Sequence, residues 1–192
     1  MSTQDRSVIQ PLTGFRSQEV ASFLAQMDDQ SRRLLQDLDG ASPDELGWQP
    51  YAGMNTIGML LAHAAIVEVF WTKVALKEDQ KPALEPILGI GMDDDGMPLA
   101  EDGKPPAVLE GKDLAFYKGL LQKARAYVKE TAAGLSDADM EREVVRIRPN
   151  GDRRIFNLRW YLYHVLEHFS GHYGQVLLLR HLYKAARLPA KT

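Results

Sequence analysis

The sequence contains no cysteine. No disulfide, thiolate metal site or cysteine nucleophile can therefore form. Any metal site must use nitrogen and oxygen ligands, and any thiol chemistry must use a thiol brought by a cosubstrate. Positive charge is not in excess either. The formal net charge is −3 and the pI about 6.0, a balance that does not attract a polyanion and weighs against a nucleic-acid partner. No uninterrupted apolar run reaches the roughly 18–20 residues needed to span a bilayer. The opening MSTQDRSVIQ lacks a charged stretch followed by an apolar one, so no signal peptide and a cytoplasmic location are expected. No Gly-x-Ser-x-Gly elbow supports a serine hydrolase.

What is present suits one soluble domain over residues 1–192, with 45% hydrophobic and 26% charged residues. Four helical stretches are predicted. The first spans Ser17 to Leu38 and stops before Gly40; Val20, Phe23, Leu24, Met27, Leu34 and Leu35 recur at helical spacing. A short helical turn is predicted at Ser42 to Leu46. The second helix spans Asn55 to Leu76 with Asn55 as its cap. The third spans Gly111 to Gly134 and the fourth Leu158 to Ala186. Residues 78–108 hold four glycines and five prolines and read as a long, mobile surface loop. Pro149-Asn150-Gly151-Asp152 is a turn signal between two alternating runs and predicts a small β-hairpin.

The five histidines carry the functional information. His164, His168 and His172 repeat every four residues on the last helix, about 40° apart around its axis and about 6 Å apart along it. Two histidines at that spacing can converge on one metal ion. Three cannot, because the outer pair is about 12 Å apart while metal–nitrogen bonds are about 2.0–2.1 Å. The pair is thus His164/His168 or His168/His172. His63 lies at the centre of the apolar face of the second helix, where an imidazole must be hydrogen-bonded or liganded, and it is the candidate third ligand. A lone histidine on an apolar face is ordinarily a satisfied core residue; the i,i+4 pair and the second helix shift the balance toward a metal. His181, near the helix end, suits the helix dipole and receives no chemistry.

Two segments, NTIGMLLAHAAIVEVFW and NLRWYLYHVLEHFSGHYGQVLLLR, resemble the DinB/YfiT-like superfamily of metal-dependent enzymes. That superfamily includes the DUF664-type branch and the mycothiol-dependent maleylpyruvate isomerases, and DELGWQPYAGMNTIG is similar to its usual lead-in. The resemblance implies an all-α four-helix bundle of up-down-down-up order, often a homodimer. It also implies His63, His168 and His172 as the metal ligands, with His164 a neighbour. Where the isomerases carry Glu, this chain carries His168. Imidazole there favours Zn²⁺ or Ni²⁺ over harder ions.

Three histidines leave a coordination position open, as in catalytic metal sites. The resemblance implies an S-transferase using a low-molecular-weight thiol on a small-molecule substrate. A metal-dependent hydrolase and a non-catalytic, stress-related, metal-binding dimer are the alternatives. The dimer draws on the nearly all-round apolar character of the last helix, where Leu166, Tyr173 and Leu177 back the histidine stripe.

Three further features are weaker. Glu68 and Glu167 fall away from the stripe and read as solvated or interface residues. GMDDDGMPLAED fails as a calcium loop, with Gly91 at the first ligand position and Asp102 at the twelfth. Arg146, Arg148, Arg153 and Arg154 read as a solvated face, with anion binding the less favoured reading.

Overall fold

A computed structural model of the chain describes residues 7–187. Residues 1–6, part of the segment read for a signal peptide, lie outside the described residues. The chain is mostly helical, with one two-stranded antiparallel hairpin before the last helix. Four long helices carry the core: α1 (Gln18–Asp37), α3 (Ile57–Lys77), α5 (Leu114–Ala132) and α6 (Leu158–Ala185). Two are short: α2 (Pro43–Gly47), which is the turn predicted after the first helix, and α4 (Glu85–Leu88).

Each long helix starts at a side-chain cap. The oxygens of Ser17, Thr56, Asp113 and Asn157 accept from backbone N–H groups three residues on, satisfying donors that the first turn leaves unpaired. Thr56, not Asn55, caps α3. Likewise α5 starts at Leu114 rather than Gly111, because Gly111 has a left-handed φ of +65° and Asp113 supplies the cap.

α3 is the central helix. Fifteen of its residues are buried, and it packs on both α5 and α6. By length and a mean hydropathy of 1.6 it is apolar enough to cross a membrane, yet 72% of that window is buried inside the molecule. It is therefore used as a core helix. Full burial of each Leu, Ile, Val or Met stabilises the fold by about 1.5–3 kcal/mol before entropy is counted. Gly58 permits the close approach of α5: a Cβ there would lie 2.3 Å from the Tyr117 hydroxyl oxygen.

Two polar ties cross this core. The Tyr161 hydroxyl of α6 lies 2.6 Å from Thr72 Oγ1, which itself donates to the Glu68 carbonyl. Arg125 of α5 makes a bidentate pair with Glu68, at 3.0 and 2.7 Å. Glu68 is 1% exposed, so its expected solvated or interface role is corrected. Its alternation with apolar neighbours hid a partner that only the α3–α5 packing supplies.

The 78–108 segment is also corrected. Leu84, Leu88 and Ile90 enter the main core with the neighbouring Leu109, and Asp95 is buried. The segment is a packed connection containing α4, anchored because its apolar residues have somewhere to go. The hairpin matches expectation: β1 (Glu143–Ile147) pairs with β2 (Arg153–Asn157), Val144 opposite Phe156. Gly151, with φ +87°, turns the chain.

Candidate metal centre

α6 buries a stripe of Leu158, Tyr161, Leu162, Val165, Phe169, Val176 and Leu179. The histidines lie on the border of that stripe, so His168 and His172 are half-buried rather than enclosed. Across from them, α3 presents His63, whose side chain is 20% exposed. The three imidazoles therefore meet at the edge of the core, where small molecules can reach them.

The donor atoms converge. His63 Nε2 and His172 Nε2 each lie 3.1 Å from His168 Nε2. One ligand atom from each of the three residues lies within 4.8 Å of the other two, a grouping that could hold a metal ion. Of the two pairs left open by helical spacing, His168/His172 is the one brought to His63. His164 turns away. Its Nδ1 lies 3.0 Å from Glu167 Oε1, and its ring stacks on Trp160 at 4.5 Å. His181 is exposed and outside the cluster.

The partners of the outer nitrogens decide what the inner ones can do. His63 Nδ1 lies 2.7 Å from Asp95 Oδ2, a carboxylate oxygen that only accepts, so His63 donates there and in the neutral imidazole its Nε2 bears a lone pair. His172 Nδ1 lies 2.7 Å from Gln175 Oε1, which fixes the same tautomer. Two lone pairs thus face His168 Nε2, and one N–H there can satisfy only one of them. A cation answers all three. Around a tetrahedral ion with bonds of about 2.0–2.1 Å, neighbouring nitrogens would sit about 3.3 Å apart, close to the 3.1 Å of the two pairs that include His168. The residues present fit a borderline divalent ion with nitrogen ligands.

Electrostatics agree with that fit. Burial, followed by the neighbouring His172, His63 and His164, pushes His168 down to about 3. Burial also lowers His172, against the opposing effect of its hydrogen bond to Gln175. Both are neutral at pH 7, the form that binds metal.

Asp95 was missed by the sequence reading, which treated the 93–95 acidic run as a failed calcium loop. It is 2% exposed; its Oδ1 also accepts from Met97 N–H at 2.9 Å. Gly96, at φ +71°, turns the chain so that the carboxylate points at His63. The only local signal was an acidic residue before a turn glycine, and Asp93 and Asp94 beside it blur that signal. Gln175 lies in the last-helix segment that carries the resemblance, where it had no role; it orients His172.

The family model described as Mycothiol-S-transferase matches residues 22–185, a span that contains all three histidines and both residues that orient them. No curated protein matches the chain. The chain belongs to the mycothiol S-transferase family, within the DinB-like superfamily that its two histidine segments resemble.

Proposed function

We propose that the protein is a metal-dependent S-transferase that joins a low-molecular-weight thiol, mycothiol or a close analogue, to a small electrophile at His63, His168 and His172. The observation that carries this reading is the convergence of three imidazole nitrogens whose outer partners, Asp95 and Gln175, leave lone pairs pointing at one place. The family membership supports the thiol and the transfer. A divalent ion held there, zinc or nickel by the all-imidazole donor set, supplies the Lewis acidity that keeps a cosubstrate sulfur as thiolate near neutral pH.

The chain's own groups prepare that site. Asp95 orients His63, as carboxylate partners of ligand histidines do. Gln175 does the same for His172 without adding charge. Desolvation keeps His168 neutral. In the transfer, the thiol S–H bond is lost and an S–C bond forms. The electrophile's leaving group departs with its electron pair and the thiol proton is released. The absence of cysteine means that no protein thiol competes.

This reading places the four long helices in an up-down-down-up bundle forming one domain, acting in the cytoplasm as a homodimer. Exposed Tyr163, Leu177, Leu178 and Leu182 on α6 support the dimer.

The test is elemental analysis of the purified protein, wild type beside His168→Ala, followed by mycothiol-dependent turnover of an alkyl halide. Near-stoichiometric zinc or nickel in wild type, lost in the variant together with turnover, is expected. Turnover that needs no thiol would move the assignment to a hydrolase. A wild type that takes up neither metal would end the metal reading.

A further inference from the structure

Beyond the C-terminal end of α3 the chain turns back along the hairpin. Gln80 ties the two together: its Nε2 donates to the Val145 carbonyl at 2.9 Å, and its Oε1 accepts from Ile147 N–H at 2.9 Å. Between them lies an open cavity of about 840 Å³, within the range of small-molecule sites. Its walls include Phe70, Met92 and Ile147, and its cations are Lys81, Arg146 and Arg148. Among the described residues, no acidic one lines it.

Three facts make this more than a solvated basic face. Among the described residues, none of the three cations forms an ion pair, while eight other Arg and Lys ion pairs do form across the molecule. Arg146 is held in place: its Nη1 donates to the Gln80 carbonyl at 2.6 Å, and its guanidinium lies 5.1 Å from the Phe70 ring centre. Met92 and Ile147 are large apolar residues left 45% and 52% exposed. A fixed cation beside uncovered apolar surface suits a ligand with an anionic end and an apolar body.

The cavity shares α3 and the 78–108 connection with the metal centre. Phe70 follows His63 by seven residues, which is two helical turns on the same face and about 10 Å along the axis. Met92 precedes Asp95 by three residues on the same connection.

We propose that this cavity binds the electrophilic acceptor, and that the acceptor is a small organic carboxylate. Arg146 and Arg148 hold its carboxylate, with Lys81 adding charge; its apolar body lies on Phe70 and Met92; its reactive carbon extends toward the three histidines. The acceptor role rests on the transferase reading, whereas anion binding in the cavity does not.

The experiment therefore reads the two separately. First, 4-phenylbutyrate and the neutral 4-phenylbutanamide are titrated by calorimetry into wild type, Arg148→Gln and Arg146→Gln/Arg148→Gln, each with its fold checked by circular dichroism. Wild type is expected to bind the carboxylate at least tenfold more tightly than the amide. Arg148→Gln, an exposed change, should weaken the carboxylate at least threefold, the double variant at least tenfold, and neither should alter the amide. Equal affinity for the two probes, or carboxylate binding unchanged in the double variant, overturns the anion site.

Second, mycothiol turnover of 4-(bromomethyl)benzoate is compared with that of its methyl ester. A KM for the carboxylate raised at least fivefold in Arg148→Gln, with kcat and the ester's KM unchanged, supports the acceptor role. An unchanged carboxylate KM, or a raised KM for mycothiol instead, overturns it. Carboxylate binding without any thiol turnover leaves the anion site standing and removes both the acceptor role and the transferase reading.

Discussion

Asp95 Oδ2 lies 2.7 Å from His63 Nδ1, a contact that joins a buried turn of the α3–α5 connection to the central helix. It determines which nitrogen of His63 faces His168 and His172. Asp95→Asn keeps the shape but removes the charge and lets the amide donate. Metal affinity is expected to fall about 10–100-fold, measured by competition with a chelator. Unchanged affinity would show that Asp95 only closes its own turn.

His168 is the member in contact with both other histidines, whereas His164 is engaged by Glu167 and Trp160. His168→Ala should abolish stoichiometric metal binding, and His164→Ala should retain it. Equal metal loss in the two variants would contradict the assignment of the pair.

The metal-free protein should be sensitive to acid. In the unfolded chain a histidine titrates near 6.5, while in the fold His168 is held down to about 3, chiefly by burial. Between those values the unfolded state binds more protons, so stability rises with pH there. His168 therefore contributes in full above about pH 6.5, and the contribution is lost as pH falls toward 3. Urea unfolding of metal-free protein at pH 7.5, 6 and 5 reads this. His168→Asn should flatten the slope, and an identical slope in both proteins would refute the cause.

Glu68 and Arg125 form a bidentate pair with side chains 1% and 8% exposed. Glu68→Ala leaves a buried guanidinium with only Asp28 and Ser31, and should cost about 3 kcal/mol. Replacing both partners, as Glu68→Leu with Arg125→Met, should recover most of that loss. Denaturant midpoints decide it; a double variant no more stable than Glu68→Ala would mean that the pair does more than satisfy itself.

The helices were legible in the sequence wherever their apolar periodicity was strong, as in Leu24, Met27 and Leu34 of α1 or Val165, Phe169 and Val176 of α6. The hairpin was legible because Asn150-Gly151 carries its own turn chemistry. The cap of α3 moved from Asn55 to Thr56 and the start of α5 from Gly111 to Leu114, since neighbouring residues that can cap compete on local geometry alone. The 78–108 connection was misread because its glycines and prolines mark turns, and turn chemistry says nothing of whether Leu84, Leu88 and Ile90 find a core.

The histidine set divides in the same way. Helical spacing by itself limited the pair on α6 to His164/His168 or His168/His172, because a rigid helix fixes which side chains share a face. It also placed His63 on an apolar face, and the resemblance then favoured His168 and His172. Only the tertiary structure placed Asp95 against His63, buried Glu68 against Arg125 and opened a cation-lined cavity beside Phe70. Those relationships join segments 32, 57 and 76 residues apart, and no local pattern encodes them. They follow from how α3 packs against α5, the connection and the hairpin in two buried clusters, where a polar group is tolerated only beside the partner that packing provides.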